Sequence, residues 1–350
     1  MDALKMPASR KDGSSAGIGI VVIGRNEGKR LLNCLRSVKD HSRHVVYVDS
    51  GSSDGSVDAA TSLCARVVCL DMTTPFTAAR ARNTGFHALM QIRPETEFVQ
   101  FVDGDCRLDP KWLDEAATFL AAHPDLALVF GRRREIYPNV TIYNTLCDRE
   151  WDGPAGEAIE CGGDVLIRTS ALKDVGGYLD DLIGGEEPEL CVRLRTAGWK
   201  IWRLPVEMTR HDAAITRFSQ WWRRSVRCGH AYAQVSSLHG RSPFRIWSRN
   251  VRRSVVWGGL IPFIAVGGCA LHPASLALLA IYPLQVIRLA RRATAEDPIR
   301  WQQAAFAVAG KFPEFQGIVQ FHLNRLLGRH QILIEYKEPL PALDQPCRLG

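Results

Sequence analysis

FVQFVDGDCRLDP, residues 98–110, sets the apolar run Phe98–Val102 directly against Asp103-Gly104-Asp105. A short run rich in β-branched and aromatic residues, stopped by a glycine-containing turn, reads as a buried strand. Two carboxylates one residue apart at a strand end can both face a divalent cation, and the glycine between them permits a tight turn. Oxygen ligands suit Mg²⁺ or Mn²⁺, which keep open positions for substrate phosphates. Taken alone, the same three residues also describe an ordinary polar turn.

Outward from this stretch the pattern repeats. Ile18–Ile23 (IGIVVI), His44–Val48 and Arg66–Leu70 read as further strands, as do Ala127–Phe130 and Val165–Arg168. Between them, Glu27–Val38, Ser56–Cys64, Thr77–Gln91 and Lys111–Ala122 carry helical spacing. Strands alternating with helices imply an α/β domain with a parallel sheet covered on both faces. Ligands of such sheets bind beyond the carboxyl ends of the strands. Polar clusters sit at those ends here: Arg25-Asn26-Glu27, Asp49 with Asp54, and Asp103 with Asp105.

Two nucleotide-binding classes are disfavoured. No Walker A loop is present, and Gly17 and Gly19 precede the first strand rather than follow it, so neither a P-loop NTPase nor a dinucleotide dehydrogenase fits. What remains is an α/β domain holding a metal near a nucleotide. Asp49 and Asp54 are candidates to accept hydrogen bonds from a base and ribose, and Arg80 or Arg82 to meet a diphosphate. Each of these, singly, is equally well a solvated turn or helix face. A helix opens near Glu186-Glu187-Pro188-Glu189, where proline suits the first turn and acidic residues suit the N-terminus.

Taken together, IVVIGRNEG (20–28), VVYVDSGSSDGS (45–56), AARARNTGF (78–86), FVQFVDGDCRLDP (98–110), CGGDVLIRTSAL (161–172), GGEEPELCVRLRTAGWKI (184–201) and TRHD (209–212) resemble the family 2 glycosyltransferases of the GT-A fold. The pieces occur in the family's order. The resemblance implies a GT-A, Rossmann-like sheet, a nucleotide-sugar donor, Mg²⁺ or Mn²⁺, and inversion at the anomeric carbon. It also implies nucleotide-binding roles for Asn26, Glu27, Asp49 and Asp54, and places Asp103 and Asp105 on the family's DxD motif. His211 falls where the metal site is often completed, and Asp164 near donor and acceptor. Glu187 falls on the catalytic base, usually an aspartate after a glutamate; here the pair is Glu186-Glu187, and Glu187 is the favoured base. The helix N-terminus is expected to keep it ionised.

The rear of the chain has another character. The 350 residues contain 44 basic and 37 acidic side chains, yet from Arg210 onward the counts are 19 and 7, so the basic excess lies there. Hydrophobic residues at 46% and a mean hydropathy of −0.09 exclude a disordered chain and a polytopic transporter. Ser254–His272 and Pro273–Ala290 are adjacent apolar runs with Arg249, Arg252 and Arg253 before them and Arg288, Arg291 and Arg292 at the far end. This reads as a membrane hairpin with both ends cytoplasmic, or else as a buried helical pair. Trp301–Leu327 reads as an interfacial helix. Arginines flanking apolar runs, rather than lining a polar face, do not point to nucleic acid.

Three regions follow: a flexible N-terminus at 1–17, a GT-A catalytic domain at 18–212, and a helical, basic, membrane-associated region at 213–350 with the apolar hairpin at 254–290. Ten cysteines without a CxxC pair read as reduced thiols, and the polar first seventeen residues as no signal peptide. The expected location is the cytoplasmic face of the inner membrane. Gln220-Trp221-Trp222-Arg223-Arg224 is near the Gln-x-x-Arg-Trp motif of processive synthases, but Arg224 stands in the tryptophan's place, and an interfacial helix with anchoring tryptophans is favoured. The expected activity is transfer of a single sugar from a nucleotide-sugar donor to a lipid-linked or glycan acceptor in cell-envelope or exopolysaccharide biosynthesis. The alternatives are a processive polysaccharide synthase-like enzyme and a nucleotidyltransferase.

Overall fold

The computed structural model describes residues 17–39, 44–63, 66–240, 242–329 and 333–335. The expected flexible segment 1–17 therefore lies outside the described residues apart from Gly17. The described chain divides into two units, 17–181 with 186–214, and 182–185 with 215–335.

In the first unit the elements run β1 (Ile18–Gly24), α1 (Lys29–Lys39), β2 (Val45–Asp49), α2 (Ser56–Ser62), β3 (Arg66–Cys69), α3 (Ala78–Ile92), β4 (Phe98–Asp103), β5 (Cys106–Leu108), α4 (Trp112–Ala122), β6 (Leu126–Glu135), α5 (Ile142–Glu150), β7 (Gly156–Glu157), β8 (Val165–Arg168), α6 (Thr169–Asp174), α7 (Glu186–Thr196) and β9 (Lys200–His211). The strands form one sheet in the order β3-β2-β1-β4-β8-β6-β9-β5, with β7 on β9.

Period-two alternation explains why β1 is buried on both faces. Ile18, Ile20 and Val22 join one core with residues of α1 and α4, including Leu31, Leu35, Trp112 and Phe119. Val21 and Ile23 join a second core with α3, α6 and α7 through Phe86, Leu89, Leu172 and Leu190. A sheet covered on both faces favours apolar runs like those of β1 and β4. Helix α3 lies close against the sheet: a Cβ at Gly85 would stand 2.3 Å from Val21 Cγ1, so any larger residue there forces the helix outward.

The expected parallel sheet is found from β3 to β4, and beyond β4 the sheet is mixed. Strands β3, β2, β1 and β4 pair in parallel, but β8 runs antiparallel to both β4 and β6. Two reversals restore the direction, so β6 and the β9 strand parallel to it run with β4. The carboxyl ends of β1, β2, β4, β6 and β9 consequently share one edge, together with the entry into β8. Strand β5 then folds back on β9 and sets Cys106 opposite His211.

The second unit contains α8 (Phe218–His239), α9 (Ser248–Ser254), a π-helical segment Val255–Leu260, α10 (Ile261–Gly268), a 3-10 segment Pro273–Ala280, α11 (Ile281–Arg292), α12 (Arg300–Ala309) and α13 (Lys311–Leu326). Ala233, Ile318 and Phe321 form a small core between α8 and α13. Gln220 Oε1 accepts from the backbone N–H of Thr216 at 2.8 Å and of Arg217 at 3.0 Å. That side chain closes the start of α8, a structural role for the glutamine of the near-motif. The expected single interfacial helix 301–327 is two helices, α12 and α13.

Of the two apolar runs, the first is helical only as far as Gly268. Among the described residues one helical stretch, the 20-residue Pro273–Arg292, is long and apolar enough to cross a membrane by length and composition. Its surroundings expose large apolar side chains, with Phe263 at 76% and Leu271 at 92%.

Candidate active site

The shared strand edge gathers the charged residues of the first unit. Asp103 ends β4, beside Ile23 of β1, and Gly24 stands beside Asp49 of β2. Arg133 lies in β6 across from Thr209 of β9, and Glu135 lies across from His211. Asp164 immediately precedes β8.

Arg82, buried on α3, joins two of the motifs. Its Nη2 donates to Asp103 Oδ1 at 2.8 Å, while its Nη1 lies 2.9 Å from Glu186 Oε1 and 2.8 Å from Glu187 Oε1. The first turn of α7 thus faces the DxD motif across one guanidinium. Gly163 allows this close approach: a Cβ there would lie 2.5 Å from Arg82 Nη2 and 2.8 Å from Asp103 Oδ2.

A second guanidinium completes the arrangement. Arg133 Nη2 donates to Asp164 Oδ2 at 2.7 Å and approaches Asp103 Oδ2 at 3.5 Å. Asp164 also accepts from Thr209 Oγ1 at 2.7 Å and from the Asp103 backbone N–H at 3.0 Å. Burial acts to raise the Asp164 pKa, but Arg133 and these hydrogen bonds hold it below the usual carboxylate range. Sequence reasoning did not single out Arg133, and it gave Thr209, the first residue of TRHD, no role of its own.

Burial pushes the Glu187 carboxyl up to about 8; Arg82 opposes the shift, and Glu186 and Asp103 add to it. The expectation that the helix N-terminus keeps Glu187 ionised is therefore corrected. Desolvation and two neighbouring carboxylates outweigh the single shared arginine. Asp103 is likewise raised, by burial first and then by Asp164 and Asp105 against the pull of Arg82 and Arg133.

His211 Nε2 lies 3.3 Å from Asp105 Oδ2, and both residues are buried. One ligand atom from each of Asp105, Cys106 and His211 falls within 4.8 Å of the others, close enough to hold one cation. A buried carboxylate and imidazole among further acidic residues fit a divalent metal, and Mn²⁺ accepts both donor types. Asp103 is not in that set; it groups with Cys106 and Asp164, and its two oxygens face the two arginines. The expected ligand trio thus separates into Asp105 with His211, and Asp103 beside them.

The remaining expected residues hold loops. Asp49 accepts from Tyr47 Oη at 2.8 Å and from the backbone N–H groups of Gly51 and Ser52. Asp54 accepts from Gly28 N and Ser56 N, which ties the loop after β1 to the loop after β2. Asn26, at φ 54°, strengthens that tie by accepting from Ser53 N while its own N–H donates to Ser52 Oγ. Glu27 pairs with Arg30 at 2.8 Å. Arg80 donates to the carbonyls of Asp71, Thr74 and Pro75, so its guanidinium organises the loop after β3. Glu189 is held by Arg193 through both oxygens.

The sequence model of Glycosyl transferase family 2 matches residues 19–174. Two curated relatives, each a pre-mycofactocin glycosyltransferase, come from Mycobacterium tuberculosis strains CDC 1551 / Oshkosh and ATCC 25618 / H37Rv. Each is 27% identical over 248 residues, covering 65% of this chain and 49% of the relative, so the chain spans about half the length of the curated relatives it matches. Among solved structures, S. aureus TarS 1–349 in complex with UDP-GlcNAc superposes with a TM-score of 0.47 at 16% identity, covering 93% of this chain and 99% of that one. S. aureus TarS in another structure gives 0.48 at 16% identity, with 87% and 55% coverage.

Proposed function

We propose, from the premise that residues 19–174 form a family 2 glycosyltransferase domain, that the chain transfers a single sugar, with inversion, from a nucleotide-sugar donor to a lipid-linked or glycan acceptor. The observation that carries this reading is the Arg82 bridge, which sets the carboxylates of Glu186 and Glu187 against Asp103 through one buried guanidinium.

In this reading Glu187 is the base that takes the acceptor hydroxyl's proton, and its raised pKa makes it a stronger base once ionised. Glu186 shares Arg82 with it and is the alternative base. Arg82 and Arg133 are the cations of the donor pocket, and Asp103 and Asp164 set their direction. Asn26, Glu27, Asp49 and Asp54 shape the loops beyond β1 and β2 that would border the nucleotide. Asp105 and His211 would hold Mg²⁺ or Mn²⁺. When bound, such a cation supplies charge neutralisation of the departing nucleoside diphosphate.

We extend the proposal to the whole chain: 18–212 as the catalytic domain and 213–350 as a basic, membrane-associated region serving cell-envelope or exopolysaccharide assembly at the cytoplasmic face of the inner membrane. The exposed apolar residues around 260–287 and the arginines at 249–253 and 288–292 support it.

The test offers purified protein a panel of nucleotide sugars with Mn²⁺ and measures nucleoside diphosphate release. The acceptor panel contains lipid-linked glycans and, because the curated relatives are named for it, pre-mycofactocin. Acceptor-stimulated release with one donor is expected. No release with any pair from folded protein overturns the reading.

A further inference from the structure

We propose that Trp151 is a positioning residue for the cation site, its indole fixing the His211 imidazole with Nε2 towards Asp105. The inference rests on the reading of Asp105 and His211 as cation ligands, and it adds a residue that neither the sequence motifs nor the family resemblance brings to that site.

Trp151 follows α5 directly. Its ring centroid lies 4.7 Å from that of His211, with the two planes at 90°. This edge-to-face geometry is the preferred one for neighbouring π systems, and it resists rotation of either ring. The indole is itself anchored through its backbone: Trp151 N–H donates to Cys147 O at 3.0 Å, and Trp151 O accepts from Arg203 Nη2 at 2.9 Å. The Arg133 guanidinium carbon lies over the same ring, 5.7 Å from its centroid. That guanidinium is the one that holds Asp164 at 2.7 Å.

One indole therefore touches both halves of the site, the imidazole that would bind the cation and the arginine that neutralises the neighbouring carboxylates. A ligand imidazole is useful only when the ring is turned so that its nitrogen faces the metal, and groups that orient such ligands typically change metal affinity about 10–100-fold. The short backbone pairing of Cys106 with His211 fixes where the imidazole starts. It leaves the ring's rotation to its side-chain neighbours, of which Trp151 presents an aromatic plane at a right angle.

The experiment uses the full chain and Mn²⁺ alone. Free Mn²⁺ is titrated by electron paramagnetic resonance against wild type, Trp151→Leu and Trp151→Phe, with folding followed by circular dichroism. Trp151→Leu is expected to weaken Mn²⁺ binding about 10–100-fold, and Trp151→Phe, which keeps an aromatic ring, to retain most of the affinity. In parallel, Mn²⁺ is expected to quench part of the tryptophan emission of wild type, and that part is expected to be missing from Trp151→Phe. Folded Trp151→Leu with wild-type affinity overturns the proposal. So does equal quenching in wild type and Trp151→Phe, a comparison that stands even if the leucine variant does not fold. Unchanged Mn²⁺ binding by Asp105→Asn, or none by wild type, instead removes the cation reading beneath it.

Discussion

Arg82 Nη1 lies 2.8 Å from Glu187 Oε1 with both side chains buried, and the other arm of the same guanidinium holds Asp103. A buried cation shared by three carboxylates is a poor source of net stability, but its removal leaves several charges without a partner.

Replacing Arg82 by Met is therefore expected to destabilise the first unit by about 3–5 kcal/mol, the usual cost of breaking a buried ion pair from one side. Urea unfolding checks it. Arg82→Lys is expected to recover only part of that loss, because one ammonium does not reproduce the fork that reaches Asp103 and the two glutamates at once.

The base assignment is tested by isosteric substitution. Glu187→Gln is expected to lower the transfer rate about 10²–10⁴-fold while donor affinity, measured by calorimetry, stays near wild type. Full transfer by this variant, with loss in Glu186→Gln, would move the role to Glu186.

Glu187 also gives the protein a pH dependence. With its pKa at about 8 in the fold against 4.5 for the free side chain, the folded protein keeps a proton that the unfolded chain releases. Stability from this group thus declines as pH rises from 4.5 to 8, opposite to the usual paired carboxylate. The melting-temperature advantage of Glu187→Gln over wild type is expected to grow from pH 5 to pH 8. In the same window kcat/KM of the wild type is expected to rise with pH as the base loses its proton.

Gly163 is the steric counterpart. Gly163→Ala places a methyl within 2.5 Å of Arg82 Nη2, so the Arg82–Asp103 contact must open. A loss of about 1–3 kcal/mol in unfolding free energy, with weaker donor binding, is expected.

The proposed membrane attachment has its own readout. Phe263, Val266 and Leu271 are well exposed. Replacing all three by serine is expected to move the protein from the pellet to the supernatant when it is sedimented with anionic vesicles, with little change in circular dichroism.

The half of the sheet from β1 to β4 was legible because its strands are short apolar runs bounded by glycine and acidic turns. β9 was not. Its sequence, KIWRLPVEMTRH, carries a proline and several charges, and it is a strand only because β6, β5 and β7 pair with it. Arg133 was hidden for a related reason. In the run Arg132-Arg133-Arg134, the outer two meet Asp152 and Asp148, whereas Arg133 turns to Asp164. Alternation would have separated it had the strand been carried past Phe130. Helix α5 did have a local signal: Thr141 accepts from Asn144 N as an N-cap. Arg80 and Arg82 show the reverse limit, since two arginines one residue apart on a helix have opposite fates that only the fold decides.

Diffraction from crystals soaked with Mn²⁺ and a nucleoside diphosphate tests the central claim most directly. The expected map shows an anomalous peak between Asp105 and His211, with the diphosphate beside it and Glu187 facing the same pocket. Manganese held by other side chains, or a diphosphate in a pocket lined by neither Asp103 nor Asp105, would contradict it.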